Sequence, residues 1–147
     1  MTTTPDHPAS SSPTTPGPVA SVWPTVRATD ARGLIRFLVD ALGFEATVVY
    51  GDGERVDHAQ LSWPAGGGVM LGSQRPDNPA DVAAPGTMSV YVVTDAPDAL
   101  CARARAAGAR ITREPFDTDY GSRDFALLDP EGNRWSFGTY AGQARRG

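Results

Sequence analysis

The stretch "DPEGNRWSFGTY" (residues 129–140) joins a turn to a strand and decides how the rest of the chain is interpreted. Asp-Pro-Glu-Gly-Asn is a turn sequence, because proline presets φ while glycine and asparagine tolerate a left-handed backbone. The residues that follow alternate between apolar and polar side chains, as a half-buried strand does. Ser136 stands in this strand, and what its neutral hydroxyl does there depends on the rest of the sequence.

The same turn-and-strand pattern occurs earlier in the chain. The segment "HAQLSWPAGGGVMLG" (58–72) aligns with "DFALLDPEGNRWSFG" (124–138), so that Pro64 matches Pro130 and Gly66 matches Gly132. The tripeptide "TDA" likewise occurs at 29–31 and again at 94–96. Glycine and proline determine backbone geometry, and their agreement therefore indicates two copies of one supersecondary unit.

Each copy reads as a strand, a helix and three strands. In the first copy we predict a strand over 21–28, a helix capped by Thr29 or Asp30 and ended by Gly43, and strands over 44–50, 54–63 and 67–73, with Gly51-Asp52-Gly53 as a hairpin turn. In the second copy we predict a strand over 88–94, a helix over 96–107 capped by Asp95 and ended by Gly108, and strands over 109–116, 122–129 and 134–140. These elements form a domain over 21–140, with modules at about 21–73 and 87–140, a linker at 74–86, and tails at 1–20 and 141–147. The tail at 1–20 is rich in Pro, Ser and Thr and is expected to be disordered.

Length and composition restrict the function classes. The chain of 147 residues suits one domain, and its net charge of −4 offers no basis for binding nucleic acid or an anionic membrane. No apolar run is long enough for a membrane span, and no signal peptide is evident, so a cytoplasmic protein is expected. The single cysteine, Cys101, is expected to be a small buried side chain.

The chain resembles the vicinal oxygen chelate superfamily, which includes glyoxalases, bleomycin-resistance proteins and extradiol dioxygenases. The segments at 26–45, 58–73 and 120–140 carry the resemblance. It implies an α+β fold in which two βαβββ modules form a curved sheet around a cavity. In the enzymes of the family, a divalent metal in that cavity takes its ligands from the first and last strands of each module.

The four ligand positions implied by the resemblance hold no usual ligand for a divalent metal. Trp23 and Ser89 stand where histidine ligands are expected, although a shift of one residue would replace Ser89 with Met88. Met70 and Ser136 stand where carboxylates are expected. Tryptophan offers no ligand atom, methionine is soft, and a neutral serine binds divalent ions weakly. We therefore expect no metal and no cofactor.

Without a metal, the resemblance to the bleomycin-resistance branch implies a homodimer that binds a hydrophobic or aromatic compound without converting it. The expected ligand-binding residues are Trp23, Met70, Ser89, Tyr91, Tyr120, Arg123 and Ser136. The acidic net charge would suit a cationic compound. Trp63 and Trp135 are expected to pack in the core or against turns rather than to contact a ligand.

Enzymatic activity stays open at this stage. The alternative is a metal-dependent lyase, isomerase or dioxygenase of the glyoxalase type that uses non-standard ligands. His58 is the candidate general base for such an enzyme, since the pKa of an unperturbed histidine suits proton transfer near neutrality. The repeat matches His58 with Asp124 in the second copy, but two such residues do not make a metal site.

Overall fold

The computed structural model describes residues 19–78 and 83–147 as two successive βαβββ modules. The first module contains β1 (Thr25–Ala28), α1 (Ala31–Asp40), β2 (Glu45–Asp52), β3 (Arg55–Ser62) and β4 (Gly68–Ser73). The second contains β5 (Ser89–Val93), α2 (Pro97–Ala106), β6 (Arg110–Asp117), β7 (Arg123–Leu128) and β8 (Arg134–Gly138). The predicted α+β class and the order of elements are confirmed. Most of the predicted tail at 1–20 and the middle of the predicted linker lie outside the described residues.

Each module forms a four-stranded sheet with the same topology. The strand order is β1-β4-β3-β2 in the first sheet and β5-β8-β7-β6 in the second. The first strand of each module runs parallel to the last one, and the other neighbours are antiparallel. Thr25 lies beside Met70 in one sheet, and Tyr91 lies beside Ser136 in the other. The two copies therefore agree in strand register as well as in their turns.

Glycines end both helical segments, as the sequence predicts. Gly43 follows α1 with φ 85°, and Gly108 follows α2 with φ 87°. This left-handed conformation is easiest for glycine, because it has no Cβ to clash with the preceding turn. Asp30 caps the start of α1, where its side chain accepts a hydrogen bond from the Gly33 N–H at 3.0 Å.

The start of α2 differs from the prediction. Ala96, not Asp95, occupies the N-cap position, and no side chain there bonds the first turn. Pro97 takes the first helical position instead, where a missing N–H is harmless because the first turn has no intrahelical acceptor for it. The prediction that Asp95 caps this helix is therefore wrong.

Two strand boundaries also differ. Strand β2 continues to Asp52, which pairs with Arg55, so that Gly53 and Glu54 alone make the hairpin turn in place of the predicted 51–53. Strand β1 begins at Thr25. Trp23 therefore lies ahead of the strand, not within it.

The two modules share one core. The ring of Phe44, just after α1, lies 5.6 Å from the ring of Trp135, and the ring of Trp63 lies 6.4 Å from that of Phe137. Trp135 and Phe137 are fully buried, as is Cys101, which confirms the expectations for Trp135 and the thiol. Neither helix of the described residues has the length and apolar character needed to cross a membrane.

Polar contacts also tie the modules together. The Glu131 carboxylate, in the turn between β7 and β8, accepts hydrogen bonds from the N–H groups of Thr29 and Asp30. A carboxylate at this place also complements the positive end of the α1 dipole. Arg103 of α2 donates to the carbonyl oxygens of Val39 and Asp40 at the other end of α1. Both ends of α1 are therefore held by the second module.

Each sheet has one side packed against the helices and one open side. Along β1, Val26 and Ala28 are buried beneath α1, whereas Thr25 and Arg27 point to the other side. We call this other side the first open face, and it consists of Thr25, Arg27, His58, Gln60 and Met70. The second open face is the matching side of the other sheet and consists of Tyr91, Arg113, Asp124, Ala126 and Ser136.

Candidate functional site

The first open face carries a cavity of about 280 Å³. Thr25, Met70 and Gln60 form one row across its sheet, because Met70 pairs with both neighbours. His58 lines the same cavity, and its imidazole stacks on the Tyr50 ring at 6.3 Å between ring centroids. A thioether and a hydroxyl thus stand side by side at the centre of this face.

The second open face carries a larger cavity of about 490 Å³. Ser136 and Tyr120 both line it, so two of the predicted ligand-binding residues share one cavity. Tyr120 is 65% exposed and packs edge-on against Tyr140. The guanidinium of Arg113 lies 3.5 Å over the ring of Phe116 at the side of this cavity, a cation–π contact.

Tyr91 pairs with Ser136 across the strands and also belongs to a polar cluster with Ser122 and Asp124. Its hydroxyl donates a hydrogen bond to the Tyr140 carbonyl oxygen at 2.7 Å. Burial raises the pKa of Tyr91 above 10.0, which keeps the hydroxyl protonated near neutral pH. Gly138 leaves the space for this cluster, because a Cβ there would lie 2.1 Å from Asp124 Oδ1 and 2.6 Å from the Tyr91 hydroxyl.

Three other predicted site residues lie apart from these groups. Arg123 points toward α2, where its Nε and Nη2 donate to the two carboxylate oxygens of Asp98 at 2.7 and 2.9 Å, and its Nη1 reaches Asp117. Ser89 pairs with Arg134, one row away from the row that holds Tyr91 and Ser136. The Trp23 indole donates to the Ala20 carbonyl oxygen ahead of β1.

A third cavity of about 430 Å³ lies between the modules, along the outer edge of β5. Its walls are largely apolar and include Phe44, Trp63, Val92 and Trp135, together with Tyr91. The Trp63 indole crosses from one module to the other to donate to the Val93 carbonyl oxygen at 3.0 Å. Trp63 and Trp135 therefore serve the packing of the modules and also border a cleft.

The two open faces do not meet within one chain. Their cavities have no lining residue in common, since both sheets direct their helix-bearing sides into the shared core. His58 and Asp124, which the repeat matches, consequently line different cavities. Among the described residues, the two open faces thus carry two separate cavities rather than one closed cup.

The residues present do not fit the divalent metal that the family's enzymes use. The rows that correspond in the two modules offer a hydroxyl and a thioether at Thr25 and Met70, and two hydroxyls at Tyr91 and Ser136. Within residues 19–78 and 83–147, no three His, Cys, Asp or Glu side chains are grouped as metal ligands require. A soft or neutral donor set of this kind binds hard and borderline divalent ions weakly.

Sequence reasoning missed several residues of the first cavity. Arg27 lies on the same side of β1 as Thr25 and lines this cavity, but no motif in the sequence marks it as part of a site. Arg75 lies two residues after β4, in the predicted linker, and also lines this cavity. No local pattern indicates that a linker side chain folds back over a sheet.

Solved structures share this architecture. TioX from Micromonospora sp. ML1 is 27% identical with a TM-score of 0.63, over 78% of this chain and 93% of its own. TnmS3, an antibiotic binding protein from Streptomyces sp. CB03234, is 25% identical with a TM-score of 0.60, over 77% and 88%. A glyoxalase I mutant from Zea mays, at 19% identity and a TM-score of 0.64 over 80% and 44%, shares the fold alone.

The match to the family model is wider than any single motif. No curated protein matches the chain. The model of the Glyoxalase/Bleomycin resistance protein/Dioxygenase superfamily, in contrast, matches residues 20–137, which include both modules and the connection between them. The paired strand rows, the turn glycines and this match together show that the chain belongs to the Glyoxalase/Bleomycin resistance protein/Dioxygenase superfamily.

Proposed function

We propose that the protein binds a hydrophobic or aromatic small molecule and releases it unchanged, without a metal. The observation that carries this proposal is the chemistry of the two corresponding rows. Met70 and Ser136 stand where the resemblance implies carboxylate ligands, and their strand neighbours Thr25 and Tyr91 add hydroxyls beside them. These groups can position a ligand by hydrogen bonds and van der Waals contact, as small-molecule sites do.

We further propose that the complete site forms between two copies of the chain. Each open face is a shallow half-site, and a ligand on one of them would keep much of its surface in water. If the first open face of one copy faces the second open face of the other, the dimer has two equivalent grooves, and each groove can enclose one ligand molecule. The description of TnmS3 as an antibiotic binding protein supports a search among antibiotic-like aromatic compounds.

The test combines molar mass, binding and the chemical state of the ligand. Light scattering after size exclusion should give a mass near twice the 15.5 kDa of one chain. Calorimetric titration with a panel of aromatic and antibiotic-like compounds should identify a binder, and mass spectrometry should recover that compound unchanged after long incubation. Elemental analysis after exposure to Zn²⁺, Ni²⁺, Mn²⁺ and Fe²⁺ should find no ion retained in proportion to protein.

A filling variant locates the site. Ser136→Trp places a large ring in the second cavity and should weaken binding at least tenfold, which corresponds to about 1.4 kcal/mol. Ala106→Trp, on the exposed end of α2, introduces the same side chain outside both cavities and should leave affinity unchanged. Retention of one metal ion per chain, or conversion of the bound compound, would refute the proposal in favour of the enzymatic alternative.

A further inference from the structure

Asp124 is a half-buried carboxylate on the second open face, and most of its hydrogen-bonding capacity is unused within the chain. It lines the cavity of that face, and its Oδ1 accepts a hydrogen bond from the Ser122 hydroxyl. Among the described residues, no arginine forms an ion pair with it and no donor reaches its Oδ2. An ionised carboxylate offers about four acceptor sites, so Asp124 can accept further hydrogen bonds from outside the chain.

The arginines that line the same cavity lie away from this carboxylate. Asp124 leans over Gly138 of β8, since a Cβ on Gly138 would lie 2.1 Å from its Oδ1. The guanidinium of Arg113 lies instead over Phe116 of β6, on the other side of β7, and two strand spacings separate β6 from β8 by about 10 Å. Arg134 begins β8, about 13 Å along the strand from Gly138. The end of the cavity at Gly138 therefore keeps its negative charge.

Three exposed tyrosine rings stand at this acidic end. Tyr91 directs its hydroxyl over Gly138, beside the Asp124 carboxylate. Its hydroxyl donates to the backbone of Tyr140, whose ring packs edge-on against Tyr120. The face of an aromatic ring attracts a cation, so carboxylate and rings favour the same kind of ligand group.

The turn that carries Tyr120 is fixed by its own hydrogen bonds. The Thr118 N–H donates to the Ser122 carbonyl oxygen at 2.8 Å, and the Ser122 N–H donates to the Thr118 hydroxyl at 2.9 Å. Asp119 belongs to the same turn and lines the cavity, where it adds a second negative charge. The ring and the charge are thus held in place before any ligand arrives.

We propose that Asp124 and the tyrosines around it form an ammonium subsite, which takes the protonated amine of an aromatic ligand. The amine N–H groups donate to the carboxylate, and hydrogen bonds between ionised partners are stronger than neutral ones. Ser136 and Ala126 pair in the next row of the sheet, and their small side chains leave room for the ligand's ring. The aromatic part of this proposal rests on the proposed function, whereas the ammonium subsite lies within one chain.

Two probes of nearly equal shape test this subsite. 2-Phenylethylamine is protonated at neutral pH, whereas 2-phenylethanol carries no charge. In titrations of the ¹⁵N-labelled full chain followed by ¹H–¹⁵N spectra, the amine is expected to bind saturably and about tenfold more tightly than the alcohol. Asp124→Asn should abolish this preference and leave the affinity for the alcohol unchanged.

A second variant and a matched control accompany Asp124→Asn. Tyr120→Leu removes an exposed ring and should weaken amine binding roughly two- to fivefold, as expected for a cation–π contact at an exposed site. Asp95→Asn removes the same charge as Asp124→Asn, but at an exposed position that lines none of the three cavities described above. This control should leave amine binding unchanged.

The outcomes separate the subsite from the proposed function. If the amine does not bind saturably, or binds no more tightly than the alcohol, the subsite is overturned even if neutral aromatic compounds bind the protein. A preference that survives Asp124→Asn, or that Asp95→Asn weakens equally, also overturns it, because the attraction would then come from net charge. If the preference depends on Asp124 but no larger aromatic amine binds more tightly than 2-phenylethylamine, the subsite stands and the proposed function fails.

Discussion

Replacing Asp129 with asparagine is expected to destabilise the protein by about 3–5 kcal/mol, because this side chain organises the turn that begins at residue 129. Asp129 is only 5% exposed. Its Oδ1 accepts hydrogen bonds from the backbone N–H groups of Glu131 and Asn133, and its Oδ2 accepts from Asn133 Nδ2 and Trp135 Nε1, each at 2.9 Å. Both carboxylate oxygens are therefore saturated by four donors.

Asparagine has nearly the same shape but offers only one acceptor oxygen. Whichever way the amide is turned, its NH₂ group faces two of the four donors. Two hydrogen bonds to a charged acceptor are then lost, at about 1.5–3 kcal/mol each, and part of that loss is offset because a buried charge no longer has to be desolvated. For a domain of this size the result is a fall in Tm of roughly 10–15 °C.

Urea unfolding monitored by circular dichroism measures the free energy of unfolding, and therefore the loss that Asp129→Asn causes. Asp119→Asn makes the same chemical change at an exposed carboxylate and should shift the midpoint little. Trp135→Phe removes one of the four donors, and combining it with Asp129→Asn should give a total smaller than the sum of the two single effects. If the free energy of unfolding of the Asp129→Asn variant lies within about 0.5 kcal/mol of the wild-type value, the carboxylate does not organise the turn.

Three further changes test other parts of the structure. Gly86→Ala should lower the free energy of unfolding by about 1–3 kcal/mol in a thermal unfolding experiment, because its Cβ would lie 2.3 Å from a backbone carbonyl oxygen. Gly142→Ala is the control and should lower it less, since Gly142 has a similar φ of 79° but open space around it. The hydrogen bond from Arg123 lowers the pKa of Asp98, so this pair contributes stability above the ordinary pKa of 3.8 and loses it as the pH falls through the lowered value. The stability difference between Asp98→Asn and wild type should accordingly vanish in acid; a constant difference from pH 7 to strong acid would contradict this. Burial raises the pKa of Cys101, so a disulfide reagent should modify it at a rate that follows the unfolded fraction in urea, and fast labelling of the native protein would refute its burial.

The modules were predictable because turn residues act locally. Gly66 and Gly132, matched by the repeat, both have positive φ, at 125° and 94°. A glycine in such a turn determines the chain direction over a few residues, and that information is present in the sequence itself. The misplaced cap of α2 shows the limit of this rule, since Asp95 and Pro97 both favour a helix start and only their exact spacing decides between them.

The site was less predictable because it depends on contacts between distant parts of the chain. Whether Met70 and Ser136 face one cavity or two depends on which sides of the sheets pack together, and rings such as Phe44 and Trp135 decide that through long-range contacts. Arg75 is a similar case, because its position over the first open face depends on a hydrogen bond to Asp57 in another strand. The spacing of residues along one strand carries no information about how the sheets pack or where Arg75 lies.

Fold and chemistry are separable in this molecule for a physical reason. The turn at 129–133 is held by Asp129 and by backbone geometry. Ser136 lies three residues beyond this turn, and it joins the β-ladder with its two neighbouring strands through its backbone, not through its side chain. A side chain on the open side of a sheet can therefore change from carboxylate to hydroxyl with little effect on the ladder. Since the helix-bearing side carries the core, side chains on the open faces can differ in chemistry without altering the fold.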